Sequence, residues 1–402
     1  MARILVLDGH AAAALAFTRS LGRAGHWVAV GANRGIFAPA RLSKYCRAFF
    51  EYPVSTADTR AFTEAVAEYA TRNRVELVIP ITDWTVLPLS QLRHQVREAA
   101  KVALPSPPAV ELASDKYATV ELARSLGTPV PATWLITSPS DLQGLPPMSF
   151  PVVVKDRSSV RWVGEQAVFG SVEYAYTPAE LSQKVTERLR EAGDVLVQEF
   201  VRGTGIGFSC FSLRGQTHIP FQWERVRETD PRGSGSSARR SIPLSSEIRS
   251  FGAKLIERAG FEGIAMVEFK REQASGRPVL MEINGRPWGS IQLAIACGVD
   301  YPRYLADWWL MHTKPPIELP FKTGITCRRM AGELTHLENL RRGTPPGWPV
   351  PYPPFWSSLM KIAVPWYPGL RYDDFASSDL RPGAAEIANW FRIRLRKRVA
   401  NS

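Results

Sequence analysis

Strand and helix patterns alternate over about the first 130 residues of this chain, and this alternation does most to limit the folds it can adopt. Apolar runs at Arg3–Leu7, His26–Gly31 and Val75–Ile79 are typical of short strands. Between them, Ala11–Ala24 and Ala61–Thr71 have the composition of helices. Strands that alternate with helices of this length predict a parallel sheet with crossover helices.

Polar residues follow the first and third of these strands. Asp8, Gly9, His10 and Asp83 stand where a parallel sheet binds its ligands, beyond the carboxyl ends of the strands. Aspartate at such a position also commonly caps the next helix, and we favour that interpretation for Asp8 and Asp83. Gly9 lacks the neighbouring glycines of a GxGxxG motif, so no dinucleotide-binding fingerprint is present.

The pattern changes after a proline-rich stretch, and this change suggests the domain boundaries. Thr128–Pro151 contains six prolines, and strand patterns then dominate as far as Cys297. Beyond Cys297 the chain is rich in Trp and Pro, which favours a segment that wraps the preceding domain. We expect an N-terminal α/β domain over 1–112, a second domain over 113–312 with a small lid subdomain at about 130–200, and a C-terminal segment over 313–402.

Acidic and amide side chains interrupt two apolar strand patterns that predict a hairpin. Glu282 and Asn284 alternate along one strand and therefore point to the same side. Glu268, on the preceding strand, can share that side if the two strands pair. Two carboxylates and an amide oxygen form the all-oxygen set that suits Mg²⁺. The alternative, a solvated strand face, poorly explains polar residues inside runs of Val, Leu, Met and Ile.

Two lysines and one extended segment add weaker signals. Lys116 begins a predicted helix and Lys155 ends an apolar strand, where a compact cation could meet phosphate oxygens. The segment Val197–Gly203, VQEFVRG, could offer backbone groups to a purine, although a plain strand and turn fits its spacing equally well.

In this order, the two lysines, VQEFVRG, VEF (Val267–Phe269) and MEINGRPWGS (Met281–Ser290) resemble the ATP-grasp superfamily. The resemblance covers roughly residues 1–312 and is most specific at VEF and MEINGRPWGS. Among the members, carboxylate–amine ligases akin to the carbamoyl-phosphate synthase large chain look most similar. The resemblance implies an α/β protein of the ATP-grasp fold, with a parallel α/β domain, a small lid subdomain and a larger antiparallel half.

The resemblance also implies roles for the matching residues. Lys116 and Lys155 would contact the phosphates of ATP, and Arg286 would bind the γ-phosphate or acyl-phosphate oxygens, so that Lys155 and Arg286 are the implied catalytic residues. The resemblance further implies ATP binding by Gln198, Glu199, Phe200 and Val201, with the backbones of Glu199 and Val201 meeting adenine, and packing under the purine by Leu280. It implies Mg²⁺ binding, with Mn²⁺ as an alternative, by Glu268, Glu282 and Asn284.

Two departures from the family pattern leave contacts unassigned. Many members carry an acidic residue for the ribose shortly after the hinge glycine, where this chain has Thr204–Gly207. The lid, usually glycine-rich, here reads Asp156–Trp162, with hydroxyls and arginines in place of glycines.

The second substrate is harder to assign. Arg225 and Arg227 alternate on one strand and could bind a carboxylate; equally, they could form surface ion pairs with Glu224 or Glu228. The loop Asp230–Ser237, rich in Gly and Ser, could close over a bound substrate.

Charge and composition limit the classes of partner that this chain could bind, namely nucleic acids and membranes. The net charge of +12 divides into +5 for 381–402 and +7 for the rest, and no basic patch interleaved with aromatics marks a nucleic-acid site. A run long enough for a transmembrane helix is absent. For the basic tail, Ile387, Trp390, Phe391 and Leu395 fall on one side of a helix, and we favour packing of that side against the protein over peripheral membrane contact.

These observations favour an ATP- and Mg²⁺-dependent ligase that joins a small-molecule carboxylate to an amine through an acyl phosphate, releasing ADP and phosphate, in small-molecule biosynthesis. The alternatives are an ATP-dependent carboxylase or small-molecule kinase on the same fold, and a non-catalytic nucleotide-binding module at a membrane surface. Four cysteines without a CxxC pair suggest a reducing, cytoplasmic location. A homodimer through the aromatic-rich C-terminal segment stays open.

Overall fold

The computed structural model describes residues 1–158, 160–163, 166–233 and 235–400. Its strands are β1 (Arg3–Val6), β2 (Trp27–Asn33), β3 (Cys46–Tyr52), β4 (Leu77–Ile79), β5 (Lys101–Val102), β6 (Thr133–Ile136), β7 (Val152–Asp156), β8 (Val160–Val163), β9 (Gln166–Phe169), β10 (Val172–Ala175), β11 (Val195–Glu199), β12 (Gly203–Leu213), β13 (Gln216–Glu228), β14 (Ser236–Ser241), β15 (Gly263–Glu272), β16 (Pro278–Asn284), β17 (Thr326–Arg328) and β18 (Leu370–Tyr372). Its helices are α1 (Ala12–Arg23), α2 (Thr59–Asn73), α3 (Asp83–Gln91), α4 (Arg93–Arg97), α5 (Pro107–Ser114), α6 (Lys116–Ser125), α7 (Pro178–Ala192), α8 (Ser246–Arg258), α9 (Ile291–Ala296), α10 (Tyr301–Met311), α11 (Met330–Arg342), α12 (Phe355–Ala363) and α13 (Arg381–Ala400).

The N-terminal region forms a parallel sheet with strand order β3-β2-β1-β4-β5. Ile4, Leu5 and Val6 of the central strand are fully buried, as expected for a parallel strand covered on both faces. The predicted parallel sheet is therefore confirmed. Strand β3 was not predicted, because as an edge strand it carries Arg47 and Glu51 within its apolar run.

Asp8 joins two strand ends and does not cap a helix. Its buried carboxylate accepts hydrogen bonds from the backbone N–H of Thr82 at 2.7 Å and from Oγ1 of Thr85 at 2.6 Å. Helix α1 begins after Ala11 without a side-chain cap, and Thr82 caps α3. The capping interpretation of Asp8 is therefore wrong, and its carboxylate instead holds the start of α3 beside the end of β1.

A small antiparallel sheet, β10-β7-β11-β6, lies within the range expected for the lid. Helix α7 covers one face, where Leu181 and Val185 pack with Val152, Val154 and Val195. Strands β8 and β9 pair separately as a hairpin. Ser159 of the predicted lid contacts and Ser234 of the predicted loop lie outside the described residues.

The largest sheet has the order β16-β15-β12-β13-β14-β17-β18, antiparallel except where β17 meets β18. Helix α8 lies so close to β12 that a Cβ on Gly252 would stand 2.3 Å from the Phe208 ring. Strands β17 and β18 come from the C-terminal segment, which therefore extends this sheet as well as wrapping it.

One core joins the N-terminal sheet to the largest sheet. Phe17 and Leu21 of α1 pack in the same buried cluster as Tyr301 and Leu305 of α10. Cys297 is buried in the same cluster. This packing sets the carboxyl edge of the parallel sheet against the largest sheet. In the described part of the chain, no helix is long and apolar enough to cross a membrane.

Candidate active site

A cleft of about 860 Å³ opens between the N-terminal sheet, the small sheet and the largest sheet. Its size is in the range of small-molecule sites. Most of the predicted site residues line it, namely Lys116, Lys155, Gln198, Glu199, Phe200, Val201, Arg225, Glu268, Glu282, Asn284 and Arg286. Two do not, Leu280 and Arg227. The N-terminal ends of α1 and α3 close the cleft through Ala11–Ala13 and Thr82.

The predicted carboxylate pair is brought together by strand register. Glu268 on β15 is directly opposite Glu282 on β16, so both side chains lie on the cleft side of the sheet. Burial raises the pKa of Glu268 to about 7; the Arg225 guanidinium counteracts this, and the Glu282 carboxylate adds to it. Asn284 donates from Nδ2 to Glu282 Oε1 at 2.8 Å, which directs its amide to the same point.

This donor set fits a divalent cation. Among the described residues, no group of three or more His, Cys, Asp or Glu side chains is placed to hold a metal ion. The candidate ligands are therefore two carboxylates and one amide, and Mg²⁺ commonly binds one or two protein carboxylates and completes its shell with water and phosphate oxygens. Two opposed carboxylates repel each other, the more so because Glu268 is buried, and a divalent cation would offset that repulsion.

A bulge on β16 explains why Leu280 does not line the cleft. Glu268 pairs with Glu282 but the next residue, Phe269, pairs with Leu280, so Met281 is the extra residue of β16. Leu280 therefore packs into the core on the other side of the sheet, and Met281 lines the cleft in its place. The predicted position of Leu280 under a purine is wrong.

Arg225 and Arg227 have separate surroundings. Arg225 is buried and pairs with Glu268 and with Glu228, the latter at 2.8 Å. Arg227 pairs outside the cleft with the fully buried Glu333, at 2.8 and 3.1 Å. The strand is irregular between the two arginines, so they do not act as the predicted pair. Of these two arginines, Arg225 lines the cleft and Arg227 does not.

The two lysines flank the carboxylates from opposite elements. Lys155 is buried at the end of β7 and donates to Gln198 Oε1 at 2.9 Å. Burial and the neighbouring Lys116 ammonium lower the pKa of Lys155 to about 8. Lys116 begins α6, which Asp115 caps through the N–H groups of Tyr117 and Ala118. Burial lowers the pKa of Lys116, and the Glu282 carboxylate opposes that shift.

Arg286 lies between the N-terminal sheet and the largest sheet. It makes a two-pronged ion pair with Asp83 at the start of α3, at 2.7 and 2.9 Å. Burial lowers the pKa of this arginine, but the Asp83 carboxylate outweighs it, so the net pKa of Arg286 is raised. Asp83, for which a capping role was favoured, thus holds a cleft arginine in place.

We call the extended segment Val197–Gly203 the hinge, and the C-terminal segment packs against it. The N–H of Glu199 donates to the Ala132 carbonyl at 2.9 Å, so a backbone contact from Glu199 to a purine would have to use its carbonyl. Trp348 packs on Phe200 and on Tyr174, with ring centroids 5.0 and 4.8 Å apart. We call the proline-rich stretch 344–354 that carries Trp348 the strap.

The far end of the cleft was missed by sequence reasoning. It is lined by side chains of β14, α11 and α13 and of the loop after β18, namely Arg239, Arg329, Thr335, Asp373, Glu386, Trp390 and Arg394. Arg329 pairs with Glu386, and Arg394 lies 3.7 Å over the Trp390 ring. The basic tail was predicted to pack through one apolar side, but Phe391 and Leu395 are more than half exposed and Trp390 faces the cleft.

Comparison with known proteins identifies the fold to which this cleft belongs. A family model described as ATP-grasp in the biosynthetic pathway with Ter operon matches residues 191–332. An L-amino acid ligase from Bacillus licheniformis superposes with a TM-score of 0.58 at 15 % identity, covering 77 % of this chain and 74 % of that one. The chain has the ATP-grasp fold. The predicted fold and the resemblance to ATP-grasp ligases are therefore confirmed.

Other proteins similar to this chain have names that describe different reactions. A carbamoyl-phosphate synthase from Methanobrevibacter smithii is 23 % identical over 245 residues, 58 % of this chain and 63 % of that protein. A probable alpha-L-glutamate ligase from Thioalkalivibrio sulfidiphilus is 26 % identical over 213 residues, which cover 52 % of this chain and 66 % of that protein. N5-carboxyaminoimidazole synthetase from Staphylococcus aureus superposes with a TM-score of 0.61 at 15 % identity, covering 85 % of this chain and 86 % of that one. The ATP-grasp chain thus aligns with slightly less than two thirds of each of the two sequence relatives.

Proposed function

We propose that this ATP-grasp chain is an ATP- and Mg²⁺-dependent ligase that joins a small-molecule carboxylate to an amine. The observation that carries the proposal is the opposed pair Glu268 and Glu282, in a cleft that also holds the buried Lys155, the half-buried Lys116 and Arg286. The ligase names among the relatives support the same reaction class. Together these features are what phosphoryl transfer needs: charge neutralisation, fixed phosphates and little exposure to water.

The reaction would have two steps. An oxygen of the substrate carboxylate attacks the γ-phosphorus of ATP, the bond to the bridging oxygen breaks, and ADP leaves. The amine nitrogen then attacks the carbonyl carbon of the acyl phosphate, phosphate leaves with its bonding electron pair, and the nitrogen loses a proton. This route needs no protein nucleophile.

The chain's own groups would bind and orient the reactants. Glu268, Glu282 and Asn284 would hold Mg²⁺, which supplies charge neutralisation of the phosphates when bound. Lys116 and Lys155 would contact phosphate oxygens as point charges. Arg286, fixed by Asp83, would present its planar fork to the transferring phosphoryl group or the acyl phosphate.

The far end of the cleft would hold the carboxylate and the amine. Arg225 reaches from the metal ligands toward this end and is the residue best placed to meet a carboxylate. The C-terminal helices α11 and α13 supply the remaining wall. Their mixture of arginines, Glu386 and Trp390 suits a polar substrate with a flat or apolar portion.

Product analysis tests the proposal. The purified chain is incubated with ATP and MgCl₂ and a panel of carboxylic acids, each with and without a panel of amines, and the nucleotides and coupled products are identified by liquid chromatography and mass spectrometry. Formation of ADP, phosphate and an amide only when acid and amine are both present is the expected result. AMP with pyrophosphate would contradict an acyl phosphate, and ADP formation that requires bicarbonate would indicate a carboxylase.

A further inference from the structure

Helix α12 turns its larger apolar side chains to solvent. Trp356 is 73 % exposed and Met360 is 70 % exposed, whereas the buried positions of the helix are Ser358 and Ile362. The i, i+4 spacing puts Trp356 and Met360 on one side of the helix, and Val364 continues that stripe. A helix at the surface of a globular protein normally has the opposite arrangement, with its apolar stripe toward the core.

The exposed apolar surface extends beyond the helix. Trp366 is 67 % exposed and Tyr367 is 37 % exposed, directly after Val364 at 43 %. We call Trp356, Met360, Val364, Trp366 and Tyr367 the aromatic face. Single exposed apolar residues are normal, but a continuous set of this kind marks an interaction surface.

The chain segment that carries the aromatic face has side-chain charges of one sign only. Residues 339–372 contain no Asp or Glu and four basic residues, Arg341, Arg342, Lys361 and Arg371. The acidic residues that follow, Asp373 and Asp374, are buried, and Glu338, which precedes the stretch, is paired with Arg342 and Arg394. The exposed surface of this stretch is therefore apolar and cationic.

We propose that the aromatic face docks on the surface of an anionic lipid bilayer. Trp and Tyr are the side chains that settle at the boundary between lipid and water, and basic residues beside them are attracted to anionic headgroups. A short helix that presents Trp and Met outward would lie in the plane of that boundary. A second copy of the chain is a poorer partner, because a two-fold contact would bring the same cations against each other.

Vesicle sedimentation tests the proposal with the full chain. The wild type should sediment with vesicles made of equal parts phosphatidylcholine and phosphatidylglycerol, and it should stay in solution with phosphatidylcholine alone or at high salt. The double variant Trp356→Ser/Trp366→Ser should bind about tenfold less or weaker still, since it loses two large apolar side chains. Lys361→Glu/Arg371→Glu should also weaken binding to the anionic vesicles, because it replaces two of the cations beside the aromatic face by anions.

A matched control removes exposed apolar residues elsewhere. Met311 and Ile317 are 61 % and 51 % exposed outside the aromatic face, and Met311→Ser/Ile317→Ser should bind like the wild type. Circular dichroism confirms that each variant is folded. Wild type that stays in solution with anionic vesicles, or a Trp double variant that binds as well as wild type, would overturn the proposal. Sedimentation velocity identifies the other occupant: a dimer lost in the Trp double variant, without vesicle binding, would make the face a contact between copies.

Discussion

Glu268 and Glu282 are two like charges on adjacent strands, of which Glu268 is buried and Glu282 is exposed to the cleft. Burial raises the pKa of Glu268 to about 7; the Arg225 guanidinium opposes this rise, and the Glu282 carboxylate adds to it. Such a pair is poorly explained by stability alone, since replacing one carboxylate by an amide would relieve the repulsion. A bound cation gives a physical reason for keeping both.

Glu282→Gln should therefore separate activity from stability. The amide keeps the size of the side chain but removes one negative charge, so ATP turnover should fall about a hundredfold or more while the melting temperature holds or rises. Initial rates of ADP release and thermal unfolding without nucleotide measure the two effects. Glu257→Gln, an exposed glutamate on α8, is the control and should change neither. Full turnover in Glu282→Gln would refute the metal-ligand assignment.

Asp374 gives a separate prediction about pH. Burial raises the pKa of Asp374 to about 7, and the carboxylates of Asp373 and Glu386 add to the effect. Between its ordinary pKa of about 4 and 7, the folded chain keeps a proton that the unfolded chain has lost, so this group lowers stability as the pH rises through that window. Asp374→Asn cannot titrate but keeps an acceptor for the N–H of Met330, 2.9 Å away in the wild type.

The melting temperature of the wild type, relative to Asp374→Asn, should therefore fall on the order of a degree or more from pH 5 to pH 8. Differential scanning calorimetry across this range gives the two curves. Parallel curves would show that Asp374 is ionised in the folded chain throughout.

At the scale of elements, the strap braces the hinge of the cleft. Trp348 fills the angle between Phe200, on the hinge, and Tyr174, on the small sheet. The carbonyl of Pro349 accepts from Arg202 at 2.6 Å, and Lys270 donates to the Val201 carbonyl at 3.1 Å. The hinge backbone is thus fixed from both sides, which would reduce the entropy lost when a nucleotide binds.

Trp348→Ala should weaken nucleotide binding without disabling the chemistry. The loss of two aromatic contacts should raise the Kd for MgADP roughly tenfold, whereas kcat at saturating ATP should change little. Trp348→Phe should recover much of the affinity, and Trp356→Ala, which removes a Trp outside the cleft, should bind like the wild type. Isothermal titration with MgADP makes the measurement. Equal affinity in Trp348→Ala and wild type would mean that the strap does not brace the hinge.

At this scale, the sequence predicts a side chain's position well when that position depends on residues nearby in the chain. The face shared by Glu282 and Asn284 follows from strand alternation, and the pairing of Glu268 with Glu282 follows from a hairpin between neighbouring strands. The bulge at Met281 breaks that alternation. The sequence of β16 contains no residue that indicates a bulge, so alternation alone places Leu280 on the wrong side of the sheet. Arg227 was misassigned for a related reason, because its partner Glu333 lies 106 residues along the chain.

At the scale of the whole molecule, the C-terminal segment is tied to the first helix. Arg19 on α1 is buried, and its guanidinium donates to the Asp379 carboxylate at 2.8 Å and to the carbonyls of Asp373, Asp374 and Asp379. Asp379 also accepts from the Ser43 hydroxyl at 2.7 Å. These bonds join positions more than 330 residues apart in the chain. Changes in amino-acid composition along the sequence therefore could not show that the far wall of the cleft depends on the N-terminal region.

Arg19→Ala should consequently affect the whole chain. It leaves the Asp379 carboxylate and three carbonyls without their cationic donor in a buried position, and breaking one partner of such a pair costs about 3–5 kcal/mol. Because the segment that Arg19 holds also carries Asp373 and leads into α13, the far end of the cleft should loosen before the N-terminal sheet unfolds. Urea unfolding followed by tryptophan fluorescence and by circular dichroism should then give separate transitions in Arg19→Ala but coincident ones in the wild type. Arg23→Ala, an exposed arginine in the last turn of the same helix, controls for charge and should unfold like the wild type. A single wild-type transition in Arg19→Ala would show that α1 and the C-terminal segment are held together by apolar packing alone.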